Sequence, residues 1–519
     1  MDGTSNSSDC AADCGITWRS GPPLPALRPR TVPELCRAAA ARAGAAVVMI
    51  EGGRRATWPD LLRWSATLAS AWSARVPPGS RVVIEGANSL DHLVAELACW
   101  QLAAIAVPLP AGLLANQRQQ VLAEVEPVLL VERVPEAFAA EAVTWAPRLV
   151  QAADPCLILF TSGSGGTPRG VVLSHDNLCS QQAAFALHWP DIGPGDRLAA
   201  YLPWHHSFGA LAERLWSLCR GATLTVVPGG GRDHAALLAT LHAVQPTVFM
   251  SVPKVHRLVT DAPSIGADTA PADTAPAAPE WWNSLRWAFT AGAALGEREA
   301  AFYHARGIAV CEGWGLTECS PSATLTALST LRTSGLVGQP IAGVEVGVRT
   351  DGRIFVRGPG VMLGYWRRPT ATAAVIRAGV LDTGDVGQWT PHGLCLLGRA
   401  DHTIKLANGE KVHLGELALT LESYPDVRQA VVFSPDGEVL HAVLYGVGVA
   451  AAAAASAAIV AYNHREAVPW RRVVQAFALR EEPTVENGLL TPSHKIARTA
   501  WLAAVERGAV VALVQQAHA

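Results

Sequence analysis

The residues of this chain best suited to chemistry lie in one loop, at 161–170, which reads TSGSGGTPRG. The hydroxyl groups of the loop can donate hydrogen bonds, and its glycines let backbone N–H groups approach an anion without a Cβ in the way. An apolar run at 157–160 predicts that a buried strand leads into the loop. The pattern indicates a phosphate-holding loop, but the spacing GxxxxGK[ST] of the P-loop nucleotidases is absent. A phosphate site therefore needs partners elsewhere in the chain.

Segments downstream of the loop supply such partners. They are 313–318 (GWGLTE), 381–385 (LDTGD), 398–405 (GRADHTIK), 408–412 (NGEKV) and 487–498 (NGLLTPSHKIAR). With the loop, they resemble the signature motifs of the adenylate-forming superfamily, which contains acyl-CoA synthetases, luciferases and the adenylation domains of peptide synthetases. Because the order and the separations match, the chain is identified as a member of this superfamily.

The resemblance implies that the loop holds the β and γ phosphates of ATP. The residues that would do so are Thr161, Ser162, Gly163, Ser164 and Gly166, with Arg169 near the end of the loop. The loop departs from the family pattern twice, because Gly165 stands where Thr is usual and Arg169 stands where Lys is usual. Gly165 removes one hydroxyl donor, and Arg169 keeps the charge with a different donor geometry. Both changes bear on nucleotide affinity, and neither indicates an inactive protein, since backbone donors dominate such loops.

The motifs also imply residues for the nucleoside and for a metal ion. Trp314 would stack its flat ring on adenine, with burial in the core as the alternative. Asp385 would accept hydrogen bonds from the two ribose hydroxyls, and Arg399 would add a charged donor there. Glu318 would bind Mg²⁺ together with Thr161, since a hard cation between phosphates needs oxygen ligands.

The resemblance assigns the reaction itself to the last motif. Lys495 would bridge the acid carboxylate and the α-phosphate during adenylation, with Thr317 in contact with the phosphate, and a surface lysine is the alternative. Asp401 would lie at the hinge about which the C-terminal domain rotates between the half-reactions. Gly409 would lie near the tunnel for the pantetheine of CoA, where the absence of a side chain lets the thiol pass.

The segment 201–209, YLPWHHSFG, resembles the family segment that reaches the acyl pocket, and it places His206 on the family's recurrent histidine. Amino-acid-activating relatives carry an Asp in this segment. None occurs between residues 201 and 231, which argues against an amino acid substrate. The segments 246–254 and 487–498 most resemble the long-chain fatty acyl-CoA synthetase branch.

The resemblance therefore predicts an AMP-forming acyl-CoA synthetase that uses ATP, Mg²⁺ and CoA. A small-molecule carboxylic acid, of medium or long aliphatic chain, would give acyl-AMP and pyrophosphate and then acyl-CoA. One alternative is a ligase that loads an acyl carrier protein, and another is a nucleotide-binding member without catalysis. Fatty acyl-AMP ligases carry an insertion after the strand that matches 354–357. None follows here, which favours CoA as the acceptor.

Length and composition agree with a globular protein of two or three domains, at 519 residues and 50% hydrophobic content. A net charge of -3 gives no case for nucleic acid, and ten cysteines without paired metal spacing indicate reduced thiols. Residues 1–25 lack the apolar core of a secretory signal, so we expect a cytoplasmic protein. The uncharged stretch 442–463 predicts a strand, an alanine-rich turn and a helix start rather than a transmembrane span. Peripheral membrane contact stays open.

The fold class predicted is α/β. Strands alternate with amphipathic helices between residues 46 and 255, which indicates α/β layers with mostly parallel sheets, and short strands after residue 343 indicate a β-rich subdomain. A small mobile α+β domain would follow, with strands at 427–434 and 438–445 and helical pieces at 460–463 and 468–475. The boundaries expected are a disordered leader at 1–30, an AMP-binding N-terminal domain at 31–398 with a low-complexity insertion at 261–280, a hinge at 399–402 and a C-terminal domain at 403–519.

Overall fold

The computed structural model describes residues 15–134, 143–162, 168–231, 233–261, 280–329, 335–424, 427–446, 451–490 and 496–515. Its strands are β1 (Ile16–Ser20), β2 (Val47–Glu51), β3 (Arg54–Thr57), β4 (Arg81–Glu85), β5 (Ile105–Leu109), β6 (Leu129–Val131), β7 (Pro155–Ser162), β8 (Pro168–Ser174), β9 (Arg197–Ala200), β10 (Thr223–Val226), β11 (Val248–Ser251), β12 (Trp287–Ala291), β13 (Ala309–Trp314), β14 (Thr324–Leu325), β15 (Leu336–Pro340), β16 (Glu345–Arg349), β17 (Arg353–Arg357), β18 (Gly364–Tyr365), β19 (Ile376–Arg377), β20 (Val380–Thr390), β21 (Gly393–Arg399), β22 (Thr403–Lys405), β23 (Lys411–His413), β24 (Val427–Phe433), β25 (Leu440–Gly446), β26 (Val473–Leu479) and β27 (Val510–Gln515).

The α-helices are α1 (Val32–Ala43), α2 (Trp58–Trp72), α3 (Leu90–Gln101), α4 (Ala115–Val125), α5 (His175–His188), α6 (Trp216–Arg220), α7 (His234–Val244), α8 (Pro253–Asp261), α9 (Glu297–Ala305), α10 (Pro369–Val375), α11 (Leu414–Glu422), α12 (Ala451–Arg465) and α13 (Arg498–Glu506). A π-helix at Phe208–Leu215 leads into α6. Short 3-10 helices lie at Pro228–Gly231, Glu280–Asn283, Thr317–Cys319, Ala400–His402 and Pro469–Arg471.

The predicted α/β class is confirmed, because the sheets before residue 320 are built largely from parallel strands. One sheet has the order β18-β8-β7-β5-β4-β6, with β7, β5, β4 and β6 parallel and β8 antiparallel to β7. A second has the order β3-β2-β10-β9, and β2, β10 and β9 are parallel.

The largest sheet contains both the parallel strands and the short later strands that the sequence predicts. Its order is β1-β16-β17-β20-β21-β15-β14-β13-β12-β11, with β19 beside β20. Strands β11, β12 and β13 are parallel, and the strands from β14 onward pair antiparallel. Motif 313–318 follows the parallel half of this sheet and motif 381–385 lies in its antiparallel half. One sheet therefore carries both motifs.

Local sequence fixes where helix α5 begins, directly after the phosphate-loop hairpin. Ser174 accepts a hydrogen bond from the Asn177 backbone N–H, and the Asn177 side chain accepts one from the Ser174 backbone N–H, which makes a reciprocal capping box. The Asn177 amide also donates to the carbonyls of Pro359 and Val361. The start of α5 is thus tied to the segment that leads into β18.

Aromatic packing fills the core of the large part. Trp189 is 2% exposed and stacks on Phe185 and Trp287, and it meets Trp216 and Phe289 edge to face, with ring centroids 5.0–5.1 Å apart. Such pairs add to the stabilisation that buried area already gives. Phe289 also meets Phe208 edge to face, with ring centroids 5.4 Å apart, so the cluster packs against the segment 201–209.

The C-terminal residues have a hydrophobic core of their own. Sheet β24-β25-β26-β27 packs against α11 and α12 through buried residues that include Leu417, Leu421, Val432 and Ile459. This core agrees with the predicted small α+β C-terminal part, and β24 and β25 match the expected strands at 427–434 and 438–445.

The expected disordered leader is wrong for residues 16–20. Residues Ile16–Ser20 form β1, which pairs antiparallel with β16, and the Arg357 guanidinium lies 4.2 Å from the Trp18 ring centroid. The largest sheet offers an open edge, and pairing satisfies backbone groups that a disordered leader would leave to water. Residues 1–14 lie outside the described residues, as does 262–279 of the expected low-complexity insertion.

Two expectations for the C-terminal part are also corrected. Residues 468–475 hold only the 3-10 turn Pro469–Arg471 before β26 begins, because the run VVQAFAL pairs with β25 in the sheet. Helix α12 begins at Ala451, earlier than expected, since alanine has the highest helix propensity. Within the described ranges, no helix combines the length and the apolar character that crossing a membrane requires.

Candidate active site

Strands β7 and β8 form the hairpin that carries the predicted phosphate loop. Thr161 pairs with Arg169 and Ser162 with Pro168, and the Thr161 hydroxyl donates to the Arg169 carbonyl over 3.5 Å. The tip of the loop, 163–167, lies outside the described residues, so Gly163, Ser164 and Gly166 remain predictions. The hairpin fixes where the loop leaves and re-enters the sheet.

Glu318 and Thr317 lie in the 3-10 turn that follows β13. The Glu318 Oε1 atom accepts a 2.8 Å hydrogen bond from the Tyr365 hydroxyl, and the Glu318 carbonyl accepts one of 2.9 Å from the Met362 N–H. The Thr317 hydroxyl lies 3.0 Å from the Ser207 hydroxyl. The turn is therefore fixed from two sides, by the β18 segment and by the segment of His206.

Arg169 approaches the same turn through Tyr365. Its guanidinium carbon lies 5.5 Å from the centroid of the Tyr365 ring, within the range of a cation–π contact. Burial is the main cause that raises the pKa of Tyr365 above its ordinary value, and the Glu318 carboxylate raises it further. The Tyr365 hydroxyl thus stays protonated and remains a donor to Glu318.

Trp314, Asp385 and Arg399 form a second cluster. The Trp314 indole N–H donates to Asp385 Oδ2 over 2.9 Å, and Arg399 Nη1 donates to Asp385 Oδ1 over 2.9 Å and to the Thr383 carbonyl over 3.0 Å. Burial lowers the pKa of Arg399, but the Asp385 charge and hydrogen bond outweigh it, and the net shift is upward. Trp314 itself is buried, at 6% exposed.

His206 lies half-buried in the segment that leads into the π-helix. Two residues earlier in the chain, the buried Trp204 donates its backbone N–H to Asn88 Oδ1 over 3.0 Å. Its ring lies 4.8 Å from the Arg214 guanidinium carbon. Arg214 in turn pairs with Glu96, and both side chains are at most 1% exposed. The π-helix at Phe208–Leu215 follows directly, and π-helices are rare and found mostly at functional sites.

The predicted hinge residue, Asp401, lies beside Arg399 of the second cluster. Asp401 is exposed in the turn after β21, with its Oδ1 atom 3.7 Å from Arg399 Nε. Gly409 lies in the turn between β22 and β23 with a φ of +89°, which favours glycine, and a Cβ there would meet no atom within 4 Å. Lys495 lies outside the described residues, between Leu490 and Ile496, which form an isolated bridge.

The structure thus brings together residues that are far apart in sequence. Thr161 and Arg169 meet Glu318 through Tyr365, and Thr317 meets the His206 segment through Ser207. Sequence reasoning missed Tyr365 and Ser207 as site residues. Ser207 lies inside the segment 201–209 that the sequence singles out, whereas Tyr365 lies in none of the motifs, and nothing in the position of either along the chain indicates its partner.

Comparison with known proteins identifies the family of the chain. A family model described as AMP-binding enzyme matches residues 36–366. A feruloyl-CoA synthase of an Amycolatopsis species is 29% identical over 443 residues, which cover 77% of this chain and 85% of that protein. The long-chain-fatty-acid–CoA ligase FadD15 of Mycobacterium bovis is 28% identical over 436 residues, with 69% and 72% covered.

Solved structures show the same fold. ATP-bound MatB from Rhodopseudomonas palustris superposes with a TM-score of 0.75 at 22% identity, covering 90% of this chain and 98% of that one. The fold and the clustered motifs define an adenylate-forming enzyme. The chain belongs to the AMP-binding enzyme family, as an acyl-CoA ligase that joins an acid to a thiol and forms AMP. Enzymes of this kind use ATP and CoA.

Proposed function

We propose that the protein activates a medium- or long-chain fatty acid with Mg·ATP to acyl-AMP and then transfers the acyl group to CoA. The observation that carries the proposal is the contact of the phosphate-loop hairpin with the Glu318 turn through Tyr365. Cationic, carboxylate and hydroxyl groups from separate motifs converge there, as a phosphoryl site needs them to.

Phosphate and metal binding follow from the donor set. Thr161, Ser162 and the loop glycines would hold the β and γ phosphates, and Arg169 would offset their charge. Glu318 supplies carboxylate oxygen, and Mg²⁺ takes few protein ligands because it keeps waters and phosphate oxygens. Among the described residues no group of three or more His, Cys, Asp or Glu could hold a metal, which fits such a shared site. When bound, the metal would neutralise charge on the phosphates.

Asp385 would bind the ribose. Its two oxygens already accept hydrogen bonds from Trp314 and Arg399, so the carboxylate is held in one orientation before a nucleotide arrives. A fixed acceptor of this kind needs little reorganisation on binding. Trp314 is 6% exposed, so its ring would meet adenine only once its face is uncovered, while its N–H stays on Asp385.

Lys495 would complete the adenylation site. Its ammonium group would bridge the acid carboxylate and the α-phosphate, which brings two anions together at low electrostatic cost. Lys495→Ala should abolish acid-dependent pyrophosphate release but leave thioester formation from supplied acyl-AMP largely intact. Equal loss of both half-reactions would contradict this role.

Domain movement would separate the two half-reactions. We propose an AMP-binding domain at 31–398, a hinge at 399–402 with Asp401, and a C-terminal domain at 403–519, with Gly409 near the tunnel for CoA. The separate hydrophobic cores of the two parts support this division. Gly409→Leu should slow the thioester step alone, measured as acyl-CoA formed from supplied acyl-AMP.

The nature of the acid is tested directly. We expect pyrophosphate release with acids between C8 and C18, dependent on CoA for turnover, and His206 would line their pocket. The feruloyl-CoA synthase relative favours a hydroxycinnamic acid as the second candidate. A panel of C2 to C18 acids, benzoate and ferulate, each with and without CoA, distinguishes them. Release with ferulate alone would overturn the fatty acid proposal, and a burst that a holo-acyl carrier protein but not CoA turns over would overturn the acceptor.

A further inference from the structure

Tyr365 lies between the two charged groups that would meet the phosphates of ATP. Its hydroxyl donates to Glu318 Oε1 over 2.8 Å, and its ring centroid is 5.5 Å from the Arg169 guanidinium carbon. One side chain therefore contacts both the end of the phosphate loop and the carboxylate after β13.

The backbone around Tyr365 holds this ring in place. In β18, Tyr365 pairs with Val171 of β8, and its N–H donates to the Thr372 hydroxyl over 2.9 Å. The next residue, Trp366, donates its backbone N–H to the Gly170 carbonyl over 2.7 Å. Tyr365 is 9% exposed, so its ring has little freedom to leave the contact.

The Glu318 side of the contact with Tyr365 is also held by a backbone hydrogen bond. The Met362 N–H donates to the Glu318 carbonyl, so the segment of Tyr365 is bonded to the main chain as well as to the carboxylate of Glu318. Both ends of the contact thus lie on one connected set of backbone hydrogen bonds. A carboxylate held in this way keeps its second oxygen available in one direction.

We propose that Tyr365 is a positioning residue, which orients the Glu318 carboxylate toward the metal and links it to Arg169 at the end of the phosphate loop. The inference rests on the proposed function, in which Glu318 binds the metal of Mg·ATP. It also gives a reason for arginine at position 169. A planar guanidinium stacks on an aromatic face, and a lysine ammonium has no such plane.

Three variants separate the hydroxyl from the ring. Tyr365→Phe removes the hydroxyl, with its hydrogen bond to Glu318 and its interaction with Arg169, and keeps the ring face, whereas Tyr365→Leu removes both the hydroxyl and the ring. Loss of a group that orients a metal ligand costs about 10- to 100-fold in metal affinity. Tyr445→Phe is the matched control, because Tyr445 is a partly buried tyrosine near an acid, Glu482, in the C-terminal part.

The experiment titrates the full chain with Mn²⁺ in the presence of α,β-methylene-ATP. Electron paramagnetic resonance measures how much Mn²⁺ is bound. We expect Tyr365→Phe to weaken Mn²⁺ binding about 10- to 100-fold, with unchanged unfolding midpoint and acid KM, and excess Mg²⁺ to restore kcat. Arg169→Lys should weaken binding in the wild-type and Tyr365→Phe backgrounds but have no further effect in Tyr365→Leu.

The possible outcomes distinguish the positioning role of Tyr365 from the proposed metal binding by Glu318. Mn²⁺ affinity in Tyr365→Phe equal to that of wild type and Tyr445→Phe would overturn the role of Tyr365. An equal fall in metal affinity, acid affinity and unfolding midpoint would also overturn it, since that pattern is merely structural. Absence of nucleotide-dependent Mn²⁺ binding in the wild type would instead refute the proposed function of Glu318.

Discussion

The buried ion pair behind the acyl-pocket segment allows a quantitative prediction. Arg214 Nη2 donates to Glu96 Oε1 over 2.8 Å, while the 2.6 Å contact of Nη1 with Oε2 lacks hydrogen-bond geometry. Among the described residues, Arg214 Nε and Nη1 find no hydrogen-bond acceptor. The pair is therefore buried with its hydrogen bonds only partly satisfied.

Among the described residues, the two titratable groups beside the pair, His92 and Glu213, are poor substitutes for Glu96 as a counter-charge. Burial, followed by the Arg214 charge, lowers the pKa of His92 to about 3, so the imidazole is neutral at pH 7. Burial also raises the pKa of Glu213 well above its ordinary value, which disfavours its charged form. The Arg214 cation is thus balanced by Glu96.

Glu96→Gln should destabilise the large part by about 3–5 kcal/mol, because it leaves a buried cation without its counter-charge. The double change Glu96→Leu with Arg214→Met should recover most of that loss, since apolar groups of similar volume need no solvation. Urea unfolding followed by tryptophan fluorescence measures this, because Trp204 and the Trp189 cluster lie in the same core.

The matched control is Asp60→Asn, which removes the acid of an ion pair with Arg63 whose side chains are 31% and 44% exposed. Its cost should stay near 1 kcal/mol, most of it from the cap that Asp60 gives to α2. The double variant should also keep its acid KM within a few-fold if shape alone positions His206. A loss under 1 kcal/mol in Glu96→Gln, or a double variant as unstable as the single one, would refute the reasoning.

Three further predictions concern the nucleotide and the contact between the two parts. Asp385→Asn should raise the KM for ATP about 10- to 100-fold, because hydrogen bonds to a charged group contribute about 1.5–3 kcal/mol each. Initial rates at saturating acid measure this KM, and an unchanged value would contradict the binding of ribose by Asp385. Burial raises the pKa of Glu422 to about 7. The folded state then binds more protons than the unfolded state between about pH 4.5 and 7, so stability falls as pH rises through that window. Since one pKa unit is worth about 1.4 kcal/mol, Glu422→Gln should be about 3 kcal/mol more stable than wild type at pH 8 and equally stable at pH 4. Arg428→Ala removes the 3.1 Å bond to Asp261 and should cost under about 1 kcal/mol of unfolding free energy, since both side chains are partly exposed. Faster proteolysis at the proposed hinge, 399–402, would show that this contact holds the two parts together.

Some elements of the fold could be predicted from the sequence and others could not. The alternation of strands and helices predicts the parallel sheets, because side-chain period and turn residues act locally. It could not place β1, since an edge strand forms only where another strand, β16, offers its backbone. The helical piece expected at 468–475 also ends inside a strand, because residues 473–479 pair with the neighbouring β25.

The motifs by themselves determined the family and named Asp385, Arg399, Glu318 and Arg169 as residues worth following, because their chemistry and order are written along the chain. Which of them touch was decided by the tertiary structure alone. Tyr365 meets Glu318 across 47 positions, and Trp314 meets Asp385 across 71. Contacts of that span depend on how the β18 segment and strand β20 lie beside other strands, and strand pairing is a long-range choice that local sequence does not encode.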